Sequence, residues 1–302
     1  MDFNQLINQF QAEILSKGIT PPDEIIDDAK INRFYIQGDK PRTKNGWYAF
    51  FRNSIACGAF GTWKEGITYK WCEIPFSRMN QNEYKEYVRQ ISEAKRLRDE
   101  EINVEQHNAS QQAKHIWENA QIASTDHPYL INKKIQPFYA RQSGKNLILP
   151  IIDIKGEHWS IQFISPTGAK WFLPNGAIKN HFIAIQHNPL ENRSILICEG
   201  FATGATLASA YPDLCVIAAC NAGNLKPVAL EVRQHLPNVE MIIAADDDRF
   251  TSDNPGLKKA REAAIAAGAF FTKPQWPYDA PTSLTDFNDL ACWLADDEVQ
   301  YA

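Results

Sequence analysis

Two short apolar runs, each leading directly into acidic residues, decide how this chain folds. Residues 195–200 are Ile-Leu-Ile-Cys-Glu-Gly, and residues 240–248 are Glu-Met-Ile-Ile-Ala-Ala-Asp-Asp-Asp. A short apolar run bounded by polar residues or glycine is typical of a central parallel strand that is covered on both faces. Ligands of open α/β sheets gather at the carboxyl ends of such strands. The sequence therefore predicts that Glu199 and the three aspartates lie at one edge of a sheet.

The carboxylates expected at this edge predict a bound cation. Three or four of them would repel one another unless a cation lay between them, and Mg²⁺ prefers hard oxygen ligands of this kind. If the chain is extended through Asp248, alternation points Asp246 and Asp248 to one side and Asp247 elsewhere. Glu199, Asp246 and Asp248 are thus the candidate catalytic and metal-binding residues, with Mg²⁺ or Mn²⁺ as the expected cofactor.

The segment that starts at Ile195 alternates between strand-like and helix-like stretches. Such alternation implies a parallel sheet with right-handed crossovers. The predicted class is α/β for this segment and α+β for the whole chain. The predicted strands are 195–198, 214–219, 241–245 and a short one near 270–271, and the predicted helices are 202–210, 225–236 and 256–267.

Two glycine-containing loops are expected to serve this sheet edge. Gly200 follows Glu199 and is expected to permit a sharp exit from the strand. Residues 221–224, Asn-Ala-Gly-Asn, come at the end of the middle strand. They are expected to let backbone and amide groups approach a phosphate closely.

Changes in residue composition and hydrophobic pattern divide the chain into four predicted segments. Residues 1–80 carry a helical pattern and then aromatic-rich runs separated by Gly and Asn, which predicts an N-terminal α+β domain. Residues 81–125 are polar, with a narrow apolar stripe, and are predicted to be a helical linker that acts as a spacer. Residues 126–190 are predicted to be a β-rich subdomain, and residues 191–295 are predicted to be the α/β domain.

The distribution of charge is more informative than the net charge of −5. Residues 131–190 hold seven Lys and Arg against two Asp and Glu, whereas residues 191–302 hold eight basic and sixteen acidic residues. A basic segment beside an acidic one suits a polyanion held next to a metal-binding cluster, although both could simply be solvated surfaces.

Composition excludes several other classes of protein. The six cysteines include no Cys-x-x-Cys pair, which argues against a structural zinc site or a disulfide framework. No apolar run approaches the roughly 20 residues that span a bilayer. The first residues lack the features of a secretory signal, so a cytoplasmic protein without a membrane partner is expected.

Each acidic motif has an ordinary structural explanation when it stands alone. A Glu-Gly pair after a strand is usually a turn, and an Asp-x-Asp is usually a loop or a helix cap. Receiver domains and some phosphatases also place aspartates after strands. The chain has neither a Gly-x-x-x-x-Gly-Lys-Ser/Thr loop nor a Gly-x-Ser-x-Gly elbow. The combination of motifs on successive units of one sheet is more specific than any one of them.

Together, Glu199-Gly200, Asn221-Ala222-Gly223 and Asp246-Asp247-Asp248 resemble the Toprim domain shared by bacterial-type primases, topoisomerases and certain nucleases. More narrowly, residues 199–204 look like the variant found in primases of plasmids and satellite phages. The resemblance covers most of the chain from about residue 35 to 292. Further stretches that resemble this group are 38–48, 58–63, 127–130, 159–164, 170–174 and 286–290.

The resemblance implies a Rossmann-like Toprim domain preceded by a primase N-terminal subdomain, and it implies roles for single residues. Glu199 matches the glutamate that acts as acid/base or metal ligand, and Asp246 and Asp248 match metal-binding aspartates. Asp286 and Asp289 look like the further acidic pair that helps to hold metal or nucleotide. The residues expected to contact nucleotide or phosphate are Gly200, Thr203, Asn221, Gly223 and Lys170, and those expected to contact DNA are Lys133, Arg141, Lys145 and Lys179.

Two departures from the family pattern affect these expectations. Cellular replicative primases carry Asp four residues after the motif glutamate, where this chain has Thr203, which favours the plasmid and phage variant. The N-terminal zinc finger and C-terminal helicase of full-length members are not found in this sequence. Template selection and unwinding are therefore expected to need partners, a replicative helicase among them.

The function implied by the resemblance is that of a DNA primase from a mobile element. Such an enzyme joins ribonucleoside triphosphates into short RNA primers on single-stranded DNA, for plasmid or phage replication or conjugation. A Toprim nuclease with the same carboxylates remains an alternative, as does a non-catalytic nucleic-acid-binding protein. A topoisomerase is less favoured because no large gate domain surrounds a candidate tyrosine.

Overall fold

The computed structural model describes residues 2–40, 43–52, 55–186, 193–249, 251 and 254–300. Pro41 and Arg42, which belong to the stretch 38–48 in the family resemblance, lie outside these residues, as does the predicted boundary at 190–191. The chain divides into two compact units, Met1–Val104 and Glu105–Ala302. The finer division into four segments stays a prediction.

The first unit is a four-stranded antiparallel sheet with a helix on one face. Its sheet order is β1-β2-β3-β4, and each neighbouring pair of strands is antiparallel. Strand alternation sends Tyr48 and Phe50 to the face that packs on Phe10 of the first helix, and Trp47 and Phe51 to the opposite face. Both faces are thus covered. The elements are helix α1 (Phe3–Ser16) and strands β1 (Asn32–Phe34), β2 (Gly46–Arg52), β3 (Ala56–Thr62) and β4 (Ile67–Cys72).

A single helix, α2 (Gln81–Asn119), occupies most of the predicted linker. Its first part buries Tyr87, Ile91 and Ala94 in the core of the first unit. Its last part buries Ala109 and Ala113 in the second unit. The spacer role stays a prediction, but both ends of the helix contribute residues to hydrophobic cores.

The second unit begins with an antiparallel sheet in the order β5-β6-β7-β8-β9. Its small helix α3 starts where Pro128 occupies the first turn and the His127 side chain accepts a hydrogen bond from the backbone N–H of Tyr129. The elements are β5 (Gln121–Ile122), α3 (Pro128–Lys133), β6 (Arg141–Ser143), β7 (Asn146–Ile152), β8 (His158–Ile164) and β9 (Lys170–Phe172).

The remaining elements form a largely parallel sheet in the order β10-β12-β11-β13-β14, with only β10 antiparallel to its neighbour. The predicted mixed α/β class with a parallel sheet is confirmed. Strands β11, β12 and β13 are buried almost throughout because helices cover both faces. The elements are β10 (Ile183–Ala184), β11 (Ile195–Cys198), α4 (Phe201–Ala210), β12 (Cys215–Ala218), α5 (Ala222–His235), β13 (Met241–Ala244), α6 (Pro255–Ala267), β14 (Phe270–Thr272) and α7 (Phe287–Gln300).

The start of α5 differs from the prediction by three residues. The loop-like Ala222-Gly223-Asn224 belongs to the helix, because the Asn221 side chain accepts a hydrogen bond from Asn224 N at 3.1 Å and caps it. Over the described part of the chain, no helix combines the length and the apolar character needed to cross a membrane.

Candidate active site

The carboxyl ends of β11 and β13 bring the acidic motifs side by side. The two strands are parallel neighbours, with Ile195 opposite Met241 and Ile197 opposite Ile243. Extending this register by two residues places Glu199 opposite Ala245, which immediately precedes Asp246. The apolar strands thus carry the acidic residues to one edge of the sheet, as the sequence predicts.

Asp246 lies at the centre of a group of like charges. Burial, together with repulsion from Glu199, Asp286 and Asp248, raises its pKa to about 8, while Lys170 opposes this shift. Its Oδ1 atom is buried and accepts no hydrogen bond from any described residue. A buried carboxylate that is repelled by other carboxylates and has an oxygen without a donor fits a cation site.

Glu199 and Asp286 share this environment. Burial is the main cause that raises the pKa of Glu199, and the backbone of Ala222, in the first turn of α5, opposes this shift by hydrogen bonding to its carboxylate. Burial also raises the pKa of Asp286, whose Oδ1 accepts a hydrogen bond from Asp289 N at 2.8 Å at the start of α7. The first turn of α5 therefore contacts Glu199 through the backbone of Ala222.

Asp248 and Asp247 point in different directions, as strand alternation suggested. The Asp248 carboxylate lies against Gly256, where a Cβ atom would stand 3.0 Å from Oδ2. Glycine in the first turn of α6 thus permits the carboxylate to approach closely. Asp247 instead accepts hydrogen bonds from Asn254, Lys273 and Trp276 and is only 2% exposed.

Asp289 has protein partners at both carboxylate oxygens. Oδ1 accepts from Lys133 Nζ at 3.2 Å, and Oδ2 accepts from the backbone N–H and the hydroxyl of Thr285. The predicted metal role of Asp289 stays a prediction, and these contacts favour a role in holding α7. Lys133, predicted to contact DNA, is drawn to the acidic residues by this ion pair.

The predicted phosphate-binding residues differ in exposure. Gly200 has φ −123° and ψ 162°, an extended conformation open to any residue, and a Cβ there would meet no described atom within 4 Å. Gly200 permits the exit from the strand, although this backbone conformation does not require glycine, and the position opens onto space. Asn221, Gly223 and Lys170 are exposed, whereas Thr203 is buried inside α4.

The other predicted DNA contacts are dispersed. Arg141 is partly engaged, since its guanidinium lies 4.4 Å from the Trp117 ring and donates to Trp117 O at 2.6 Å. Lys145, at the β6–β7 turn, and Lys179 are exposed. Their roles stay predictions.

Sequence inspection missed the residues that support the acidic group. Lys273, Trp276 and Asn254 carry no motif, and only the tertiary structure places them against Asp247. Tyr129, from the stretch 127–130, lies near Asp286, and burial raises its pKa to about 12. The Tyr129 hydroxyl is buried and has no hydrogen-bond partner among the described residues.

The described His, Cys, Asp and Glu side chains include no group of three or more that could together hold a metal ion. The four carboxylates are close enough to raise the pKa of Asp246, but they do not form a closed set of protein ligands. Mg²⁺ commonly binds through one or two carboxylates and completes its shell with water and substrate phosphates. The residues present fit that open kind of site.

Comparison with known proteins gives a family for the second unit. The family model of the Toprim domain matches residues 194–294. Two curated proteins of Escherichia coli, both named DNA primase TraC, are similar to nearly the whole chain. One is 30% identical over 289 residues, covering 91% of this chain and 26% of that protein, and the other is 27% identical over 277 residues, covering 89% and 19%. The chain thus spans about a quarter and about a fifth of their lengths.

Two solved structures show a weaker likeness. The DnaG primase catalytic domain bound to ssDNA matches with a TM-score of 0.46 and 12% identity, over 66% of this chain and 78% of that one. The primase fragment of the bacteriophage T7 primase-helicase matches with a TM-score of 0.36 and 16% identity, over 52% and 62%. These values are too low to support a statement about this chain. The match of residues 194–294 to the Toprim domain model and the two TraC relatives confirm the resemblance of this chain to Toprim DNA primases of plasmid type.

Proposed function

We propose that this chain is the catalytic core of a DNA primase that joins ribonucleoside triphosphates into short RNA primers on single-stranded DNA. The observation that carries the proposal is the environment of Asp246. Its Oδ1 is buried without a hydrogen-bond partner among the described residues, and Glu199, Asp248 and Asp286 are close enough to raise its pKa. The Toprim match and the similarity to proteins named DNA primase TraC support the same activity.

Two of the four carboxylates of Glu199, Asp246, Asp248 and Asp286 would hold Mg²⁺ or Mn²⁺. Removing a proton from Asp246 at neutral pH is unfavourable without a cation, because burial and its neighbours raise the pKa to about 8. When bound, the divalent ion would neutralise triphosphate charge and make the attacking hydroxyl a better nucleophile.

The surrounding side chains then have separate tasks. Burial raises the pKa of Glu199, which makes it a stronger proton acceptor than an exposed glutamate, and it would take the proton of the primer hydroxyl. Lys170 is exposed, acts electrostatically on Glu199 and Asp246, and would attract the triphosphate. Open space at Gly200 and the exposed Asn221 and Gly223 would admit its phosphates.

The biological setting is part of the proposal. Template strands would pass the basic segment that includes Arg141, Lys145 and Lys179, in keeping with its surplus of cations. Activity would serve replication or conjugation of a plasmid or phage in the cytoplasm. A replicative helicase would unwind the template.

Primer synthesis tests the proposal directly. Wild type, Glu199→Gln and Asp246→Asn are incubated with single-stranded DNA, labelled ribonucleotides and Mg²⁺ or Mn²⁺, with Asp213→Asn as an exposed-aspartate control. Short labelled products are expected from wild type and the control, and their rate should fall at least about 100-fold in the two site variants. In EDTA the Asp246→Asn protein should unfold at no lower temperature than wild type, because without a cation Asp246 favours its protonated, neutral form and the substitution keeps the side chain neutral.

Other outcomes separate the alternatives. Shortened DNA formed without ribonucleotides would identify a nuclease that uses the same carboxylates. Inactivity of all four proteins, with DNA binding retained, would overturn an enzymatic role and favour a nucleic-acid-binding protein.

A further inference from the structure

Asp247, the middle residue of the three consecutive aspartates, forms hydrogen bonds through both carboxylate oxygens and through its backbone N–H. Asp247 Oδ2 accepts from Lys273 Nζ at 2.9 Å and from Trp276 Nε1 at 3.0 Å, and Oδ1 accepts from Asn254 Nδ2 at 2.7 Å. Its backbone N–H donates to Thr285 O at 2.6 Å. Burial alone would raise the pKa of Asp247, but these hydrogen bonds lower it on balance.

The partners of Asp247 come from the segments that carry the other acidic residues. Thr285 immediately precedes Asp286, and its backbone N–H donates to Asp289. Asn254 caps α6 and also accepts from the backbone N–H of Asp248 at 3.1 Å. The Asp247 carboxylate thus contacts Asn254, which binds the backbone of Asp248, and the Asp247 backbone N–H contacts Thr285, which precedes Asp286.

A second layer holds the loop that contains these partners. The Arg249 guanidinium lies 4.2 Å from the Trp276 ring and donates to Pro281 O and Leu284 O. The chain from Trp276 to Thr285, which has no strand or helix, is thus tied to the residues that follow Asp247. Loops without regular structure need such bonds to keep a fixed position.

The carboxylates of the acidic group repel one another, so contacts with other residues must keep them close together. We propose that Asp247 is a positioning residue, which through Asn254, Lys273, Trp276 and Thr285 sets the separation between the Asp246–Asp248 segment and Asp286. Both of its oxygens are occupied by donors, so it takes no part in binding the cation. The inference rests on the proposed function for its consequence in catalysis, and on these contacts alone for the positioning of Asp286.

The test compares the full chain with Asp247→Asn, Asp247→Ala, Lys273→Gln and the double variant Asp247→Asn with Lys273→Gln. Asp279→Asn, an exposed aspartate on the same loop, is the matched control. Mn²⁺ alone is titrated and its free fraction is followed by electron paramagnetic resonance. Hydrogen–deuterium exchange is measured on peptides covering residues 282–290.

The dissociation constant for Mn²⁺ is expected to rise on the order of 10-fold in Asp247→Ala and less in Asp247→Asn, which keeps one acceptor. Exchange of the 282–290 peptides should accelerate in the same order. The double variant leaves no unpaired buried charge and should regain stability. Its Mn²⁺ affinity should stay weak, because the contact of residue 247 with Trp276, on the loop that leads to Asp286, is still altered. It also serves as the folded reference if Asp247→Ala does not fold.

Two results would overturn the inference, and a third would overturn only the proposed function. Mn²⁺ affinity and exchange equal to those of Asp279→Asn would overturn the inference. Weaker Mn²⁺ binding with unchanged exchange would overturn it too, because Asp247 would then act on the cation directly. If wild type binds no Mn²⁺ and makes no primers, while exchange still accelerates in Asp247→Ala, the proposed function fails and the positioning of Asp286 stands.

Discussion

Gly200, which follows β11, and Gly204, in the first turn of α4, illustrate how differently single residues contribute to the site. Gly200 adjoins open space, with no described atom within 4 Å of a Cβ at that position. Gly204, one turn into α4, is enclosed, since a Cβ there would stand 3.0 Å from Ile185 and 3.2 Å from Cys198. Gly204 therefore serves packing, whereas Gly200 leaves room for a ligand.

Replacing each of these glycines by alanine should separate stability from binding. Gly204→Ala forces a methyl group against two fully buried side chains, and the free energy of unfolding should fall by about 1 kcal/mol, since overpacking outweighs the gain in helix propensity. Gly200→Ala should leave stability unchanged but raise the KM for ribonucleotides. Urea unfolding and primer-synthesis kinetics measure both effects, and equal unfolding midpoints for Gly204→Ala and wild type would contradict the packing role.

At the scale of elements, strand β8 is joined to the chain that precedes β10 by an aromatic contact. The Trp159 and His181 rings lie 5.0 Å apart, and Trp159 Nε1 donates to Asp153 Oδ2 at 3.1 Å. Burial lowers the pKa of His181, against opposing effects of the Lys179 backbone, Asp153 and Glu231. The folded protein thus holds His181 neutral at a pH where the unfolded chain would bind a proton.

This contact predicts a loss of stability in mild acid. Above about pH 6.5 both states are neutral at His181, and below it the unfolded state binds the extra proton, so the free energy of unfolding falls by up to about 1.4 kcal/mol per pH unit. His181→Gln should make the fall between pH 7.5 and 5.5 shallower, as measured by urea unfolding. His115→Gln, at an exposed position, is the control, and identical slopes for all three proteins would refute the assignment.

At the scale of the whole molecule, each compact unit has its own hydrophobic core. The first unit packs Phe10, Phe50 and Phe60 between α1 and the sheet, and the second packs Ile197 and Val228 around β11 and α5. Because each core lies within its own unit, we expect the two units to be able to unfold separately.

Core truncation in one unit should therefore stay local. Phe50→Ala removes a fully buried ring that lies 5.2 Å from Phe10 and should cost the first unit about 3–5 kcal/mol. Hydrogen–deuterium exchange should accelerate in peptides of residues 1–104 and not in those of residues 195–218. Ile197→Ala should do the reverse, whereas faster exchange throughout the chain in both variants would indicate one cooperative unit.

Much of the parallel sheet and the acidic edge could be predicted from the sequence. Short apolar runs determine buried strands through local periodicity, and the residues after them reach the carboxyl edge whatever the rest of the chain does. The confirmed class, the Toprim match at 194–294 and the grouping of Glu199 with Asp246 and Asp248 follow from such local patterns.

Only the tertiary structure decided which side chains meet across long stretches of chain. Lys133 pairs with Asp289 across 156 residues, and Asp247 meets Lys273 and Trp276, none of which a periodic pattern could indicate. Asp247 and Asp248 are identical in chemistry and adjacent in sequence. Their different surroundings follow from tertiary packing, since a carboxylate is stabilised by whichever donors the folded chain brings within reach.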